Sequence, residues 1–173
     1  PEVILDLRIG PTRPLAADVL AGELDAALVA EPVADPRLEK LPLFEEELVI
    51  VAEAGCPPIS TPRDMAERAL LTCESGCAYR QRLEAWFERE GLVPRSLLEI
   101  TSYHAMLGCV AGGMGVALLP RSLLSISAER QRLSVHTLSP REAWTAQTVL
   151  IWRREGPLAK IRALAQVLEE LPV

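Results

Sequence analysis

Ser102-Tyr-His-Ala-Met-Leu-Gly-Cys-Val-Ala-Gly-Gly-Met-Gly-Val-Ala-Leu-Leu-Pro120 is the stretch on which the fold turns. Thr101 and Ser102 offer N-cap hydroxyls, and Met106, Leu107 and Val110 then fall three to four residues apart, the spacing of one helix face. Val116 to Leu119 is a continuous apolar run closed by Pro120, the pattern of a buried strand. Between them Gly112-Gly113-Met114-Gly115 stops the helix and turns the backbone tightly. A capped helix, a glycine turn and an apolar strand make an αβ unit. On these residues alone, an ordinary core unit and a helix with its N-terminus facing a ligand both stand.

The chain around this stretch has 173 residues, room for one or two compact domains. Hydrophobic residues make up 49%, enough for a packed core, while aromatics are only 4%, so aliphatic side chains must fill it. Lys plus Arg number 18 against 24 Asp plus Glu, a net charge of −6. That balance argues against this segment gripping nucleic acid by itself, because phosphate binding needs clustered positive charge. There is no apolar run of the length needed to span a membrane, and no leader pattern opens the chain. Cys56, Cys73, Cys77 and Cys109 form no C-x-x-C pair, and His104 and His136 are not spaced with them as metal ligands. Reduced thiols in a cytoplasmic protein, with no metal and no cofactor, are the expectation.

Working outward, Val3 to Ile9 alternates and predicts a strand. Gly10 to Pro14 reads as a turn, Leu15 to Leu24 as a short amphipathic helix ending near Gly22, and Asp25 to Ala30 as a buried strand. Strand, helix and strand in that order imply a parallel βαβ unit. Residues 33–41 read as a polar connection, Glu45-Glu46-Glu47 as a solvated turn, and Leu43 to Val51 as a strong strand. Ala54 to Pro62 is the clearest break in the chain, after which Thr61 can cap a short helix begun by Pro62. Leu70 to Cys73, Leu97 to Ile100, Leu133 to Leu138 and Thr148 to Trp152 read as strands. Tyr79, Leu83, Trp86 and Phe87 mark a helix closed by Gly91, and Ile161, Leu164, Leu168 and Leu171 mark a C-terminal one. A weaker break lies at Ser139 to Thr145. Two α/β lobes follow, with small ligands expected where helix N-termini converge at the ends of parallel strands.

Four segments carry a resemblance. Pro1-Glu-Val-Ile-Leu-Asp-Leu, Leu20-Ala-Gly-Glu-Leu-Asp-Ala-Ala-Leu28, Pro42-Leu-Phe-Glu-Glu-Glu-Leu-Val-Ile-Val-Ala52 and Val110-Ala-Gly-Gly-Met-Gly-Val-Ala-Leu-Leu-Pro120 resemble the effector-binding domain of LysR-type transcriptional regulators. The resemblance implies an α/β, two-lobed fold like the type II periplasmic binding proteins, with an inter-lobe cleft for a small effector. The Pro57-Pro58 break and the polar segment 139–145 place lobe I at residues 1–53 and 146–173 and lobe II at residues 54–145. The DNA-binding helix-turn-helix of the family, and the first strand and helix of its effector domain, have no counterpart in this sequence. DNA contact, and self-association as a dimer or tetramer, are implied for the family.

Residue by residue, the resemblance places Thr101 and Ser102 where family members hydrogen-bond the effector. Ser75, Gly76 and Cys77 fall at the neighbouring helix N-terminus. Gly10 to Thr12 and Ala30 to Pro32 fall on lobe I loops facing the cleft, so Thr12 and Pro32 join the candidate set. Plain capping accounts equally for Thr101 and Ser102. Arg80 can pair with a carboxylate, although an arginine in a first helical turn is more often solvated. Two helix N-termini and hydroxyls without an aromatic lining suit a small organic anion, a carboxylic or amino acid. Cys77 matches the reactive position of peroxide-sensing members, but the resolving cysteine expected downstream is lacking, and Cys73 reads as an upstream strand residue. A solute-binding protein of a transporter and a thiol-based redox-sensing regulator are the alternatives. No Ser/His/Asp set, metal cluster or phosphate loop points to an enzyme.

Overall fold

A computed structural model describes residues 4–170, with the side chain of Glu142 outside the description. In chain order the elements are α1 (Thr12–Ala21), β1 (Ala26–Ala30), β2 (Leu38–Glu53), β3 (Ala69–Thr72), α2 (Ala78–Arg89), β4 (Ser96–Glu99), α3 (Tyr103–Ala111), β5 (Val116–Pro120), α4 (Ser122–Ser125), β6 (Leu133–Thr137), β7 (Thr145–Arg153) and α5 (Leu158–Glu169). The chain divides into two compact units, Pro1–Glu45 with Gln147–Val173, and Glu46–Ala146. It passes from the first to the second inside β2, upstream of the Ala54–Pro62 break.

In the first unit β1 pairs antiparallel with β7, Ala26 opposite Trp152 through Ala30 opposite Thr148. Leu15 and Val19, one helical turn apart, bury α1 against Ala27, Val29, Val149 and Ile151. Two expectations fail here. The strand expected over Val3–Ile9 does not form across residues 4–10, and Val3 itself lies outside the described residues. Alternation alone does not make a strand. Among the described residues no strand pairs with this segment, and Leu7 and Ile9 stand 83% and 99% exposed. The parallel βαβ unit fails with it, since β1 pairs antiparallel. The Gly10–Pro14 turn is also shorter than expected: α1 starts at Thr12, because Pro14 in a first helical turn has no intrahelical N–H bond to lose. Leu171, expected on the last helix, lies outside the described residues.

The second unit has a mixed sheet in the order β2-β5-β3-β4, with β6 on the other side of β2. β2 runs antiparallel to β5 and β6, while β3 runs parallel to both β5 and β4. Period-two alternation sorts its strands between two cores. Leu48, Ile50, Leu70, Val116 and Leu118 pack with Leu83 and Phe87 of α2. Val49, Val51, Leu71, Ala117 and Leu119 pack with Met106, Leu107 and Val110 of α3. One helix therefore covers each face, and both faces of β5 are buried, which is why Val116–Leu119 reads as an unbroken apolar run. Trp86 and Trp144 meet edge to face, ring centroids 4.7 Å apart at 70°, fastening the 3-10 turn Arg141–Trp144 to α2.

The glycine turn does what its residues suggest. Gly112, Gly113 and Met114 donate their N–H groups to Gly108, Val110 and Cys109, closing the end of α3. Gly113 sits at φ 77 in the left-handed region. At Gly115 a Cβ would lie 2.2 Å from the Ala69 carbonyl oxygen of β3, so only glycine lets β5 enter beside that strand. Thr61 does open a short helix, a 3-10 turn over Pro62–Met65. There the Asp64 carboxylate accepts from the Ser60 and Thr61 N–H groups at 2.9 and 2.8 Å.

Two polar expectations are corrected. β2 begins at Leu38, inside the supposed polar connection 33–41, because Leu38 is buried in the first unit's core. Glu45-Glu46-Glu47 is not a solvated turn: it lies within β2. Arg121 grips Glu47 with two hydrogen bonds of 2.6 and 3.1 Å, and Glu46 accepts from the Tyr79 and Ser122 hydroxyls. Partners far along the chain hold these carboxylates in place.

Candidate functional site

The candidate site begins at the C-terminal ends of the parallel strands β3 and β4. Thr72 faces Glu99 in the ladder, and Ile100 donates its N–H to the Thr72 carbonyl at 2.9 Å, extending the pairing one residue past β4. From these adjacent ends the chain turns twice into a helix. Glu74 to Cys77 leads into α2, with the Cys77 N–H on the Glu74 carbonyl at 3.2 Å and Cys77 as the N-cap. Thr101 and Ser102 lead into α3, with Ser102 as its N-cap; its hydroxyl accepts from the Ala105 N–H at 3.4 Å. Five of the candidates, Ser75, Gly76, Cys77, Thr101 and Ser102, thus gather at one end of one sheet. Ser75, Thr101 and Ser102 are exposed there. Thr12 and Pro32 lie in the other unit, Thr12 in the first turn of α1 and Pro32 just past β1, and Leu15 and Val33 beside them share one apolar cluster.

Arg80 spans the two helix starts. Its guanidinium donates to Glu84 at 2.8 Å, to Glu99 at 2.9 Å and to the Cys73 carbonyl at 3.4 Å. The carboxylate that the sequence leaves open for Arg80 is supplied from within the chain. Any pull on an external anion must therefore come from N–H groups and hydroxyls. Thr72, 4% exposed, has a hydroxyl with no hydrogen-bond partner among the described residues, one position before the α2 turn.

The sequence reading misses a cluster of sulfur and phenol here. Cys73, just past β3, is not a remote strand residue. The Glu74–Cys77 turn folds the chain back on itself, so the Cys73 and Cys77 thiols influence each other's ionisation. Tyr103 packs against the same apolar cluster as Cys73, and the Tyr79 hydroxyl donates to Glu46 at 3.3 Å. The neighbouring Cys73 thiol, opposed by burial, holds the Cys77 thiol down at about 6. Cys73 is pushed the other way, first by the neighbouring Cys77 and then by burial. Burial is the main cause that raises Tyr79 and Tyr103. A Cys-x-x-x-Cys spacing bridging a strand end and a helix N-cap was the available signal.

Other features lie elsewhere. No group of three or more His, Cys, Asp or Glu side chains among the described residues could hold a metal ion. The Nδ1 atom of His136 accepts from the Ile59 N–H at 3.2 Å, and burial lowers its pKa, a structural tie. A cavity of 710 Å³ in the first unit is lined by Leu5, Leu7, Leu24, Ile161 and Leu164 among others, and by none of the candidate residues. No helix among the described residues is long and apolar enough to cross a membrane.

Comparisons with known proteins show the family and the fold. The chain is 35% identical over 155 residues to the HTH-type transcriptional regulator GltR of Bacillus subtilis, an alignment covering 90% of this chain and 52% of that protein. It is 29% identical over 171 residues to the HTH-type transcriptional regulator CzcR of Bacillus cereus, covering 98% of this chain and 58% of that one. The chain thus spans little more than half the length of these relatives. Its fold matches the Synechocystis PCC6803 CcmR regulatory domain in complex with 2-PG, with a TM-score of 0.79 at 20% identity, over 97% of this chain and 85% of that one. It also matches the effector binding domain of QuiR in complex with shikimate, with a TM-score of 0.74 at 18% identity, over 92% of this chain and 77% of that one. These are α/β regulatory domains of the type II periplasmic-binding-protein kind. A family model described as the LysR substrate binding domain matches residues 1–172, and the chain belongs to that family.

Proposed function

We propose that this chain is the effector-sensing module of a cytoplasmic LysR-type transcription regulator, and that its effector is a small organic anion, a carboxylic or amino acid. The two compact units stand for the two lobes of the family fold. Contact with DNA belongs to a separate helix-turn-helix domain, and the regulator works as a dimer or tetramer.

The observation that carries the effector class is the convergence of the α2 and α3 N-termini at the adjoining ends of β3 and β4. Each helix end carries roughly half a positive charge and free N–H groups. Two together favour an anion although the chain carries −6, because the local field outweighs the distant total. The exposed hydroxyls of Ser75, Thr101 and Ser102 add donors without adding charge. The buried Thr72 hydroxyl gains a partner when a ligand oxygen or a water reaches it. Shikimate, with which the QuiR effector binding domain is in complex, is itself a carboxylate. Thr12 and Pro32 enter this proposal through the family resemblance alone.

Replacing Ser102 with Ala removes one hydrogen bond to the effector and weakens binding by about 0.5–1.5 kcal/mol, up to about tenfold. The fold survives, because the cap bond it loses is already long at 3.4 Å. Calorimetric titration of the intact regulator with small carboxylates, wild type against Ser102→Ala, reads this directly. Equal affinities would remove Ser102 from the site.

A further inference from the structure

The chain passes between its two compact units twice, between Glu45 and Glu46 in β2 and between Ala146 and Gln147 in β7. On the first-unit side the two passages are tied to each other, since the Gln147 side-chain amide donates to the Phe44 carbonyl at 3.0 Å. On the second-unit side one helix holds both. The Tyr79 hydroxyl donates to Glu46 at 3.3 Å, just past the first passage. Nη1 of Arg82 donates to the Ala143 and Thr145 carbonyls at 3.2 and 3.0 Å, just before the second. Trp86 meets Trp144 edge to face between those two carbonyls. Tyr79, Arg82 and Trp86 follow one another at three and four residues, so they form a single stripe of α2, about 10 Å long.

The start of the same helix is one wall of the proposed anion site. Arg80 pins that start to Glu99 at 2.9 Å and to the Cys73 carbonyl at 3.4 Å, at the ends of β4 and β3. Leu83 and Phe87, each 1% exposed, pack the rest of α2 into the core. A helix bonded along its whole axis and close-packed on one side shifts as a rod, so a displacement at its first turn reaches the stripe.

We propose that α2 is a lever between the anion site and the two passages, with Tyr79, Arg82 and Trp86 as its positioning residues. What pushes the lever rests on the function proposed above; its grip on the passages does not. An anion at the α2 N-terminus pulls on the helix dipole and on the free first-turn N–H groups. The stripe carries that pull to Glu46 and to the 143–145 backbone, and so biases the direction in which β2 and β7 leave the second unit. Arg82 is the strongest link, because one guanidinium takes two carbonyls that flank Trp144, which a lysine ammonium does not reproduce. As a coupling free energy the effect runs both ways, from anion to passages and from passages to anion.

The test is hydrogen exchange read by mass spectrometry on the full-length regulator, at peptides covering 43–48 and 143–148, with α3 as the control. The first arm uses no ligand. Arg80→Ala, which unpins the start of α2, is expected to speed exchange at both passages by about fivefold, the effect of roughly one net hydrogen bond, and to leave α3 as it was. In a Tyr79→Phe/Arg82→Ala background the same change is expected to lose most of its effect, and Arg82→Lys is expected to restore it only in part. Where Arg80→Ala speeds α3 as well, Glu99→Gln, which weakens a single bond of Arg80, takes its place. Wild-type rates at both passages, or equal acceleration with and without Tyr79 and Arg82, would overturn the lever. The second arm adds succinate or glutamate as probe. Binding is expected to slow both passages in wild type, and to leave them unchanged in Tyr79→Phe/Arg82→Ala protein that still binds the probe. Binding that leaves both passages unchanged in wild type would overturn the lever and leave the anion site standing. Absence of binding by either probe would count against the proposed effector class, while the first arm still decides the lever.

Discussion

Alanine placed in turn at Gly112, Gly113 and Gly115 should separate three costs that the sequence presents as one glycine-rich turn. At Gly112 the new Cβ would lie 3.4 Å from the Cys109 and Gly108 carbonyl oxygens, ordinary contact, and φ is −82. The unfolded chain loses about 0.4–1 kcal/mol of conformational freedom, so this variant is neutral or slightly more stable. At Gly113 φ is 77, and an L-residue in the left-handed region costs about 1–2 kcal/mol, partly offset by the same entropic gain. The Cβ there also meets the Glu53 carboxylate at 2.5 Å, but that is the end of a flexible side chain and can swing away. At Gly115 the Cβ meets the Ala69 carbonyl oxygen at 2.2 Å and its carbon at 2.9 Å. These are backbone atoms of a strand paired with β5 on one side and β4 on the other, so relief means breaking the ladder. Overpacking against such a wall costs about 3 kcal/mol, or prevents folding. Urea denaturation followed by circular dichroism should rank the midpoints Gly112→Ala, then Gly113→Ala, then Gly115→Ala. A Gly115→Ala variant as stable as Gly112→Ala would refute the argument that β5 enters the sheet through a space only glycine leaves.

Asp64→Ala should lose about 1 kcal/mol, the usual worth of a helix-start hydrogen-bond set. The Ser60 and Thr61 N–H groups hold the Asp64 carboxyl below its ordinary value of 3.8, so its contribution is whole above that value and fades as pH falls through the lower folded one. Acid titration of stability should therefore be steeper in wild type than in the variant at the acid end. Arg121→Ala leaves the half-buried Glu47 without its two-pronged partner; about 1 kcal/mol should be lost, and added salt should narrow the gap between variant and wild type in thermal melts. Sedimentation of the full-length regulator at micromolar concentration should show a dimer or larger species, and a monomer would count against the proposed assembly.

The second unit was the legible part of the chain. Met106, Leu107 and Val110, the glycines, and Val116–Leu119 state their roles locally, because helix spacing and a doubly buried strand leave strong periodic marks. What stayed illegible depends on partners distant in sequence. Ile4–Ile9 alternates like a strand, but a strand exists only with a neighbour, and none among the described residues pairs with it. Glu46 and Glu47 look solvated until Tyr79, Ser122 and Arg121 arrive from positions 33 to 76 residues away. Of the candidate site, the hydroxyls at Ser75, Thr101 and Ser102 were legible through their resemblance to a family. The engagement of Arg80 was not, because it depends on how one turn folds back after β3 and brings Glu99 and the Cys73 carbonyl within reach.

The central claim is that the second unit reads negative charge with two helix N-termini. The most direct measurement is calorimetric titration of the full-length regulator with matched pairs of ligands, each small carboxylate beside its neutral amide of the same shape. The account predicts saturable binding of at least one carboxylate, loss of that binding in the amide, and weaker binding as ionic strength rises. An uncharged effector, or a carboxylate and its amide bound equally well, would contradict it.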